Sequence, residues 1–163
     1  MTASKELISL STAAAHILTE NKKTVAVAES CTGGMLSEVF TSIPGSSAYF
    51  LGGIVAYDKS VKEGVLGVPQ EVLEQHGAVS KQTALAMAKE ARLKVRADIG
   101  IGVTGLAGPT GGTEEKPVGL VYVALDSANG SACREFHFDG DRNEIREQTC
   151  VKALRMLLEE LVL

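Results

Sequence analysis

The stretch Thr24-Val25-Ala26-Val27-Ala28-Glu29-Ser30-Cys31-Thr32-Gly33-Gly34-Met35-Leu36 decides the fold. Its first five residues are short, apolar and partly β-branched, as in a buried strand, whereas Met35, Leu36, Val39, Phe40 and Ile43 recur at helical spacing. A strand that passes through a polar, glycine-containing turn into a helix is the basic step of an α/β protein. The pattern puts Ser30 at or next to the helix N-cap. There the free N–H groups of Cys31, Thr32, Gly33 and Gly34 can stabilise an anion, and the two glycines let a ligand approach the main chain. The competing reading is an ordinary helix start, since serine is a common N-cap and the glycines can merely relieve crowding. Glu29, at the end of a buried strand, needs a partner in either case.

Outward from this junction the pattern alternates. A helix is expected over residues 4–20, with Leu7, Ile8, Leu10, Ala14, Ile17 and Leu18 on its apolar stripe and His16 packed beside it. Strands are expected over 24–28, 49–57, 98–104, 118–126 and 133–139. Short helices are expected over 60–66 and up to Gln75, and longer ones from Ser80 to Val95 and from Asp141 or Arg142 to Leu161. Ser127-Ala128-Asn129-Gly130 contains an Asn-Gly pair and reads as a hairpin joining the last two strands. Helical crossovers together with one hairpin predict a three-layer α/β/α sandwich around a mixed sheet.

A chain of 163 residues with 45% hydrophobic and 22% charged residues is expected to form one globular domain over 1–163. A net charge of −4 and no Lys/Arg cluster interleaved with aromatics argue against a nucleic-acid surface. Cys31, Cys133 and Cys150 have neither an even count nor CxxC spacing, as expected of reduced intracellular thiols. No secretory signal and no long apolar run is visible, so a cytoplasmic protein with no membrane partner is expected. Acidic residues and histidines do not fall at ligand spacing, so neither a metal nor a cofactor is expected.

Residues 105–117 form a glycine-rich loop after a buried strand, at the sheet edge where open α/β proteins bind ligands. Gly100-Ile101-Gly102-Val103-Thr104-Gly105 matches G-x-G-x-x-G, but these glycines alternate within a strand and no helix opens after them. They read instead as room for a close-packed helix. The Walker A pattern also fails, leaving a loop whose N–H groups can hold a phosphate or a carboxamide.

Ser30 needs a base to become a nucleophile. The three histidines sit on the first helix (His16), before a turn (His76) and on a hairpin strand (His137), and all read as packing or surface residues. Lysines are better placed: Lys59 and Lys62 follow the strand that ends at Tyr57, and Lys116 lies in the glycine-rich loop. Of these, Lys62 falls one turn into its helix, where a side chain can aim inward. Cys31 is the rival nucleophile, because a helix N-terminus lowers a thiol pKa.

Ala28-Glu29-Ser30-Cys31-Thr32-Gly33-Gly34, Pro44-Gly45-Ser46-Ser47-Ala48-Tyr49-Phe50, Val55-Ala56-Tyr57 with Lys62, His76-Gly77-Ala78-Val79-Ser80, Thr104-Gly105-Leu106-Ala107-Gly108-Pro109, Gly111-Gly112-Thr113-Glu114-Glu115-Lys116-Pro117-Val118-Gly119 and Gly140-Asp141-Arg142 occur in this order. Together they resemble the C-terminal domain of the competence-damage-inducible (CinA) family over essentially the whole chain. The resemblance implies a nicotinamide mononucleotide deamidase using a serine–lysine mechanism. Ser30 would be the nucleophile and Lys62 the base, with the N–H groups of Cys31 and its neighbours as oxyanion hole and Tyr57 positioning the lysine or the substrate. Thr104, Gly105, Gly108, Gly111 and Gly112 would enclose the nucleotide, and Arg142 would hold its phosphate. Longer members of the family carry an additional N-terminal domain resembling molybdopterin-binding proteins, which has no counterpart in these residues. The expected partner is a small nucleotide, with self-association into a homo-oligomer. A catalytically silent nucleotide-binding or protein-interaction module, linked to competence or DNA damage, is the alternative.

Overall fold

The computed structural model describes residues 3–163. Five strands form one sheet in the order β2-β1-β3-β4-β5: β1 (Val25–Glu29), β2 (Phe50–Val55), β3 (Ile99–Gly105), β4 (Leu120–Ser127) and β5 (Gly130–His137). β1 runs parallel to both β2 and β3, and β4 is antiparallel to β3 and β5. The sheet is therefore mixed, as the combination of crossovers and hairpin predicts. Ser127 pairs with Gly130, leaving Ala128 and Asn129 as the two-residue loop. The ends of the last two strands lie one to three residues from their expected positions, because pairing through this tight turn sets the register.

Among the described residues six α-helices cover the two faces. α1 (Lys5–Glu20), α2 (Met35–Thr41) and α6 (Arg142–Leu161) pack on Val25, Val27, Ile101, Val103, Val121 and Val123. On the opposite face lie α3 (Lys59–Val61), which continues as a π turn (Lys62–Leu66), then α4 (Gln70–His76) and α5 (Lys81–Val95). Ala26, Ala28, Leu66, Leu73, Met87 and Ala91 form the core there. Consecutive strand residues thus serve opposite layers, which follows from the two-residue period of a strand.

The alternating glycines of β3 have the packing role expected of them. A Cβ on Gly100 would lie 2.0 Å from the Ala88 carbonyl oxygen, and one on Gly102 would lie 2.3 Å from that of Ala84. The backbone of α5 rests directly on the strand, and Ala84 and Ala88 complete the close contact against Ala124. Among the described residues no helix is long and apolar enough to cross a membrane.

Candidate active site

The site lies at the C-terminal ends of the three parallel strands. The expected helix start at Ser30 is corrected: α2 begins at Met35 with Gly34 as its cap, and residues 31–34 form a turn between strand and helix. Two constraints separate Ser30 from the helix. Its own N–H donates to the Val103 carbonyl at 3.0 Å, which continues the sheet pairing by one residue. Glu29 occupies the helix end instead, accepting from the N–H groups of Leu36 at 2.8 Å and Ser37 at 3.0 Å and from the Ser37 hydroxyl at 2.7 Å. A carboxylate at a helix N-terminus is favoured by the free donors and the dipole there. The partner that Glu29 requires is therefore α2. Gly53 has no Cβ where Ser37 crosses β2; one would sit 2.1 Å from the Ser37 hydroxyl oxygen.

Strand alternation turns Ser30 to the other layer. The Lys62 ammonium nitrogen, Nζ, lies 2.9 Å from Ser30 Oγ and 2.8 Å from the carbonyl oxygens of both Ala56 and Tyr57. Lys62 is 1% exposed and Ser30 7% exposed. The side chain comes from the first residue of the π turn, where the widened backbone carries it inward beneath the end of β2. Desolvation by burial holds the lysine below its ordinary value, against the opposing charge of Asp58. Lys59 is exposed, and the Lys116 amine donates to the His76 carbonyl, so Lys62 is the lysine brought to the serine.

Cys31 does not behave as a helix-start thiol. Burial pushes its pKa up to about 12, which leaves the sulfur protonated at neutral pH. His16, His76 and His137 are all exposed; the packing expected for His16 and His137 does not occur. His137 faces Glu135 on the edge strand at 3.4 Å.

The turn after Ser30 is closed by Gly33, whose N–H donates to the Ser30 carbonyl at 3.1 Å. The N–H groups of Cys31, Thr32 and Gly34 have no backbone acceptor among the described residues. Gly33 and Gly34 take positive φ of 55° and 105°, conformations that side chains resist. The Thr32 hydroxyl is buried without a partner.

The remaining residues divide. Arg142, the first residue of α6, donates to the Gly108 carbonyl at 2.6 Å and to the Tyr57 hydroxyl at 3.1 Å. Both acceptors are neutral. Tyr57, a 59% exposed residue, thus serves two neighbours, its carbonyl accepting from Lys62 and its hydroxyl from Arg142. Thr104 is buried and its hydroxyl donates to the Ala78 carbonyl at 2.7 Å, so it ties β3 to the α4–α5 connection. Gly105 is packed against Leu120 and Val121, and Gly108 against Val118. Gly111 and Gly112 lie on the exposed part of the loop.

One contact to this site has no local sequence signal. Arg146, on α6, donates to the Thr32 carbonyl at 2.7 Å from 114 residues away. The two carbonyls that hold Lys62 are likewise main-chain groups, which residue type does not reveal.

The family model of the CinA C-terminal domain matches residues 7–161, and the chain belongs to this family. A relative in Desulforudis audaxviator that bears a competence-damage inducible name is 54% identical over 134 residues, 82% of this chain and 32% of the relative. A CinA-like protein of Geotalea uraniireducens is 48% identical over 153 residues, 94% of this chain and 36% of that one. The chain therefore spans about a third of the length of these relatives. The crystal structure of competence/damage inducible protein CihA from Agrobacterium tumefaciens superposes with a TM-score of 0.95 at 41% identity, covering 100% of this chain and 99% of the other. A CinA superfamily structure from Klebsiella pneumoniae gives 0.92 at 31% identity, covering 96% and 98%.

Proposed function

We propose that this domain is an amidohydrolase that releases ammonia from the carboxamide of nicotinamide mononucleotide. The observation that carries the reading is the buried Lys62 amine within hydrogen-bond reach of Ser30. As a neutral amine it has two N–H donors and one lone pair. The Ala56 and Tyr57 carbonyls engage the donors, so the lone pair is left for the serine proton. Ser30 Oγ then forms a bond to the carboxamide carbon as Lys62 accepts its proton, and the N–H groups of Cys31, Thr32 and Gly34 are the available donors for the oxyanion. Collapse breaks the C–N bond, with Lys62 returning its proton to the departing ammonia. Water then cleaves the acyl-serine by the same route, giving a carboxylic acid and restoring Ser30.

The nucleotide half of the reading rests on Arg142 and on the motifs shared with the family. Arg142 meets no carboxylate among the described residues, so its charge is free to pair with a phosphate. Arg142→Ala is expected to raise KM for nicotinamide mononucleotide by roughly 10- to 100-fold, with a much smaller change in kcat, because a phosphate contact remote from the carboxamide serves ground state and transition state alike. A dominant kcat loss would place Arg142 at the reacting atoms instead.

The lysine also sets a pH dependence. Only its neutral form accepts the serine proton, so kcat/KM rises with pH and levels off once Lys62 has lost its charge. Burial puts that midpoint below the ordinary lysine value. A profile flat through the acid limb, or one whose midpoint survives Lys62→Met, removes Lys62 as the base. The function itself is tested by incubating purified protein and its Ser30→Ala variant with nicotinamide mononucleotide and measuring ammonia and nicotinate mononucleotide. Binding without ammonia from the unaltered protein supports the silent nucleotide-binding module and rejects the enzyme.

A further inference from the structure

We propose that Arg146 is a positioning residue for catalysis, fixing the turn that carries the oxyanion donors; this rests on Ser30 being the nucleophile. The turn at 31–34 has little rigidity of its own. Its second half is a glycine pair with both φ values positive, and glycine moves among such conformations at low cost. Its middle peptide is held from outside. The Thr32 carbonyl accepts from Met35 N–H at 3.0 Å and from Arg146 Nη2 at 2.7 Å.

Because the peptide unit is planar, fixing the Thr32 carbonyl also fixes the Gly33 N–H on its other side. That N–H closes the turn on the Ser30 carbonyl. Cys31 and Thr32 are thereby held at the two central positions, with N–H groups that no backbone acceptor takes up. A rotation of this peptide would carry those donors away from the position of an oxyanion on Ser30.

The test compares Arg146→Gln and Arg146→Lys with the unaltered protein by two independent readouts. One is kcat and KM for nicotinamide mononucleotide. The other is the rate at which a fluorophosphonate labels Ser30, followed by mass spectrometry. In that reaction the Ser30 O–P bond forms, fluoride leaves, Lys62 takes the proton, and the phosphoryl oxygen occupies the oxyanion position. Arg146→Gln is expected to lower both kcat and the labelling rate by roughly 10- to 100-fold while KM stays within about twofold, and Arg146→Lys should recover part of the loss. Unchanged rates in Arg146→Gln overturn the proposal, as does a loss seen only in KM or only in melting temperature. If the unaltered protein is labelled but makes no ammonia, the deamidase reading fails and labelling alone decides the role of Arg146. If it is not labelled at all, the nucleophile assignment and this proposal fall together.

Discussion

Ser30→Ala is expected to abolish ammonia release, lowering kcat by at least roughly 10⁴-fold, while nucleotide affinity measured by calorimetry stays within about threefold. The hydroxyl is the atom that bonds to the carboxamide carbon, and nothing else near it replaces that role. Cys31 is the next residue, but its buried thiol stays protonated at neutral pH. Lys62→Met should lose a similar factor, at least roughly 10³-fold, since base and nucleophile act as a unit and their losses do not add. The two variants differ in what they do to the fold. Ser30→Ala removes one oxygen, whereas Lys62→Met leaves the Ala56 and Tyr57 carbonyls without their donor, and Lys62→Ala adds a cavity. Melting temperature should accordingly fall more in the lysine variants. A Ser30→Ala protein that turns over at an appreciable fraction of the normal rate would end the serine–lysine mechanism.

Gly100→Val is expected to be the most damaging single change to the fold. A Cβ there meets the Ala88 carbonyl oxygen at 2.0 Å and the Arg92 Cβ at 2.8 Å, and the first of these belongs to helix backbone. No side-chain rotation relieves the contact, so α5 must move off the sheet. Overpacking of this kind costs about 3 kcal/mol or more, near the upper end of the usual range. For a chain of this size that corresponds to a melting temperature lower by about 6–12 °C. Gly64→Ala is the natural control, since a Cβ there has nothing within 4 Å. Equal melting temperatures for the two variants would show that α5 does not rest on β3 as closely as described.

How far the sequence reached depended on the kind of interaction. The glycines at 100 and 102 were legible because alternation within a strand, with no helix opening after them, leaves packing as the remaining use. Ser80 before α5 and Asp141 before α6 were legible as caps for a similar local reason: each accepts from an N–H three residues on, from Thr83 and Glu144. Ser30 was misplaced as a cap for want of a distant fact. Its N–H belongs to the Val103 carbonyl, and the helix end is taken by Glu29. Cys31 differs for the same reason: its position along the chain suggests a lowered pKa, and burial reverses the direction. For Thr104 the residue pattern does not show that its hydroxyl donates to the Ala78 carbonyl, a contact made across 26 residues.

By itself the sequence determined the layers of this protein: two periodicities, two caps and one hairpin are local properties, written in residues a few positions apart. It also supplied the serine, three candidate lysines and, through an ordered set of motifs, the resemblance to the CinA family. Only the tertiary structure decided which lysine lies 2.9 Å from Ser30, that Glu29 faces α2 while Ser30 faces α3, and that Arg146 reaches the turn from α6. The physical reason is that hydrogen bonds and desolvation depend on distance through space, and those distances exist only after the sheet has paired and both helical layers have closed on it.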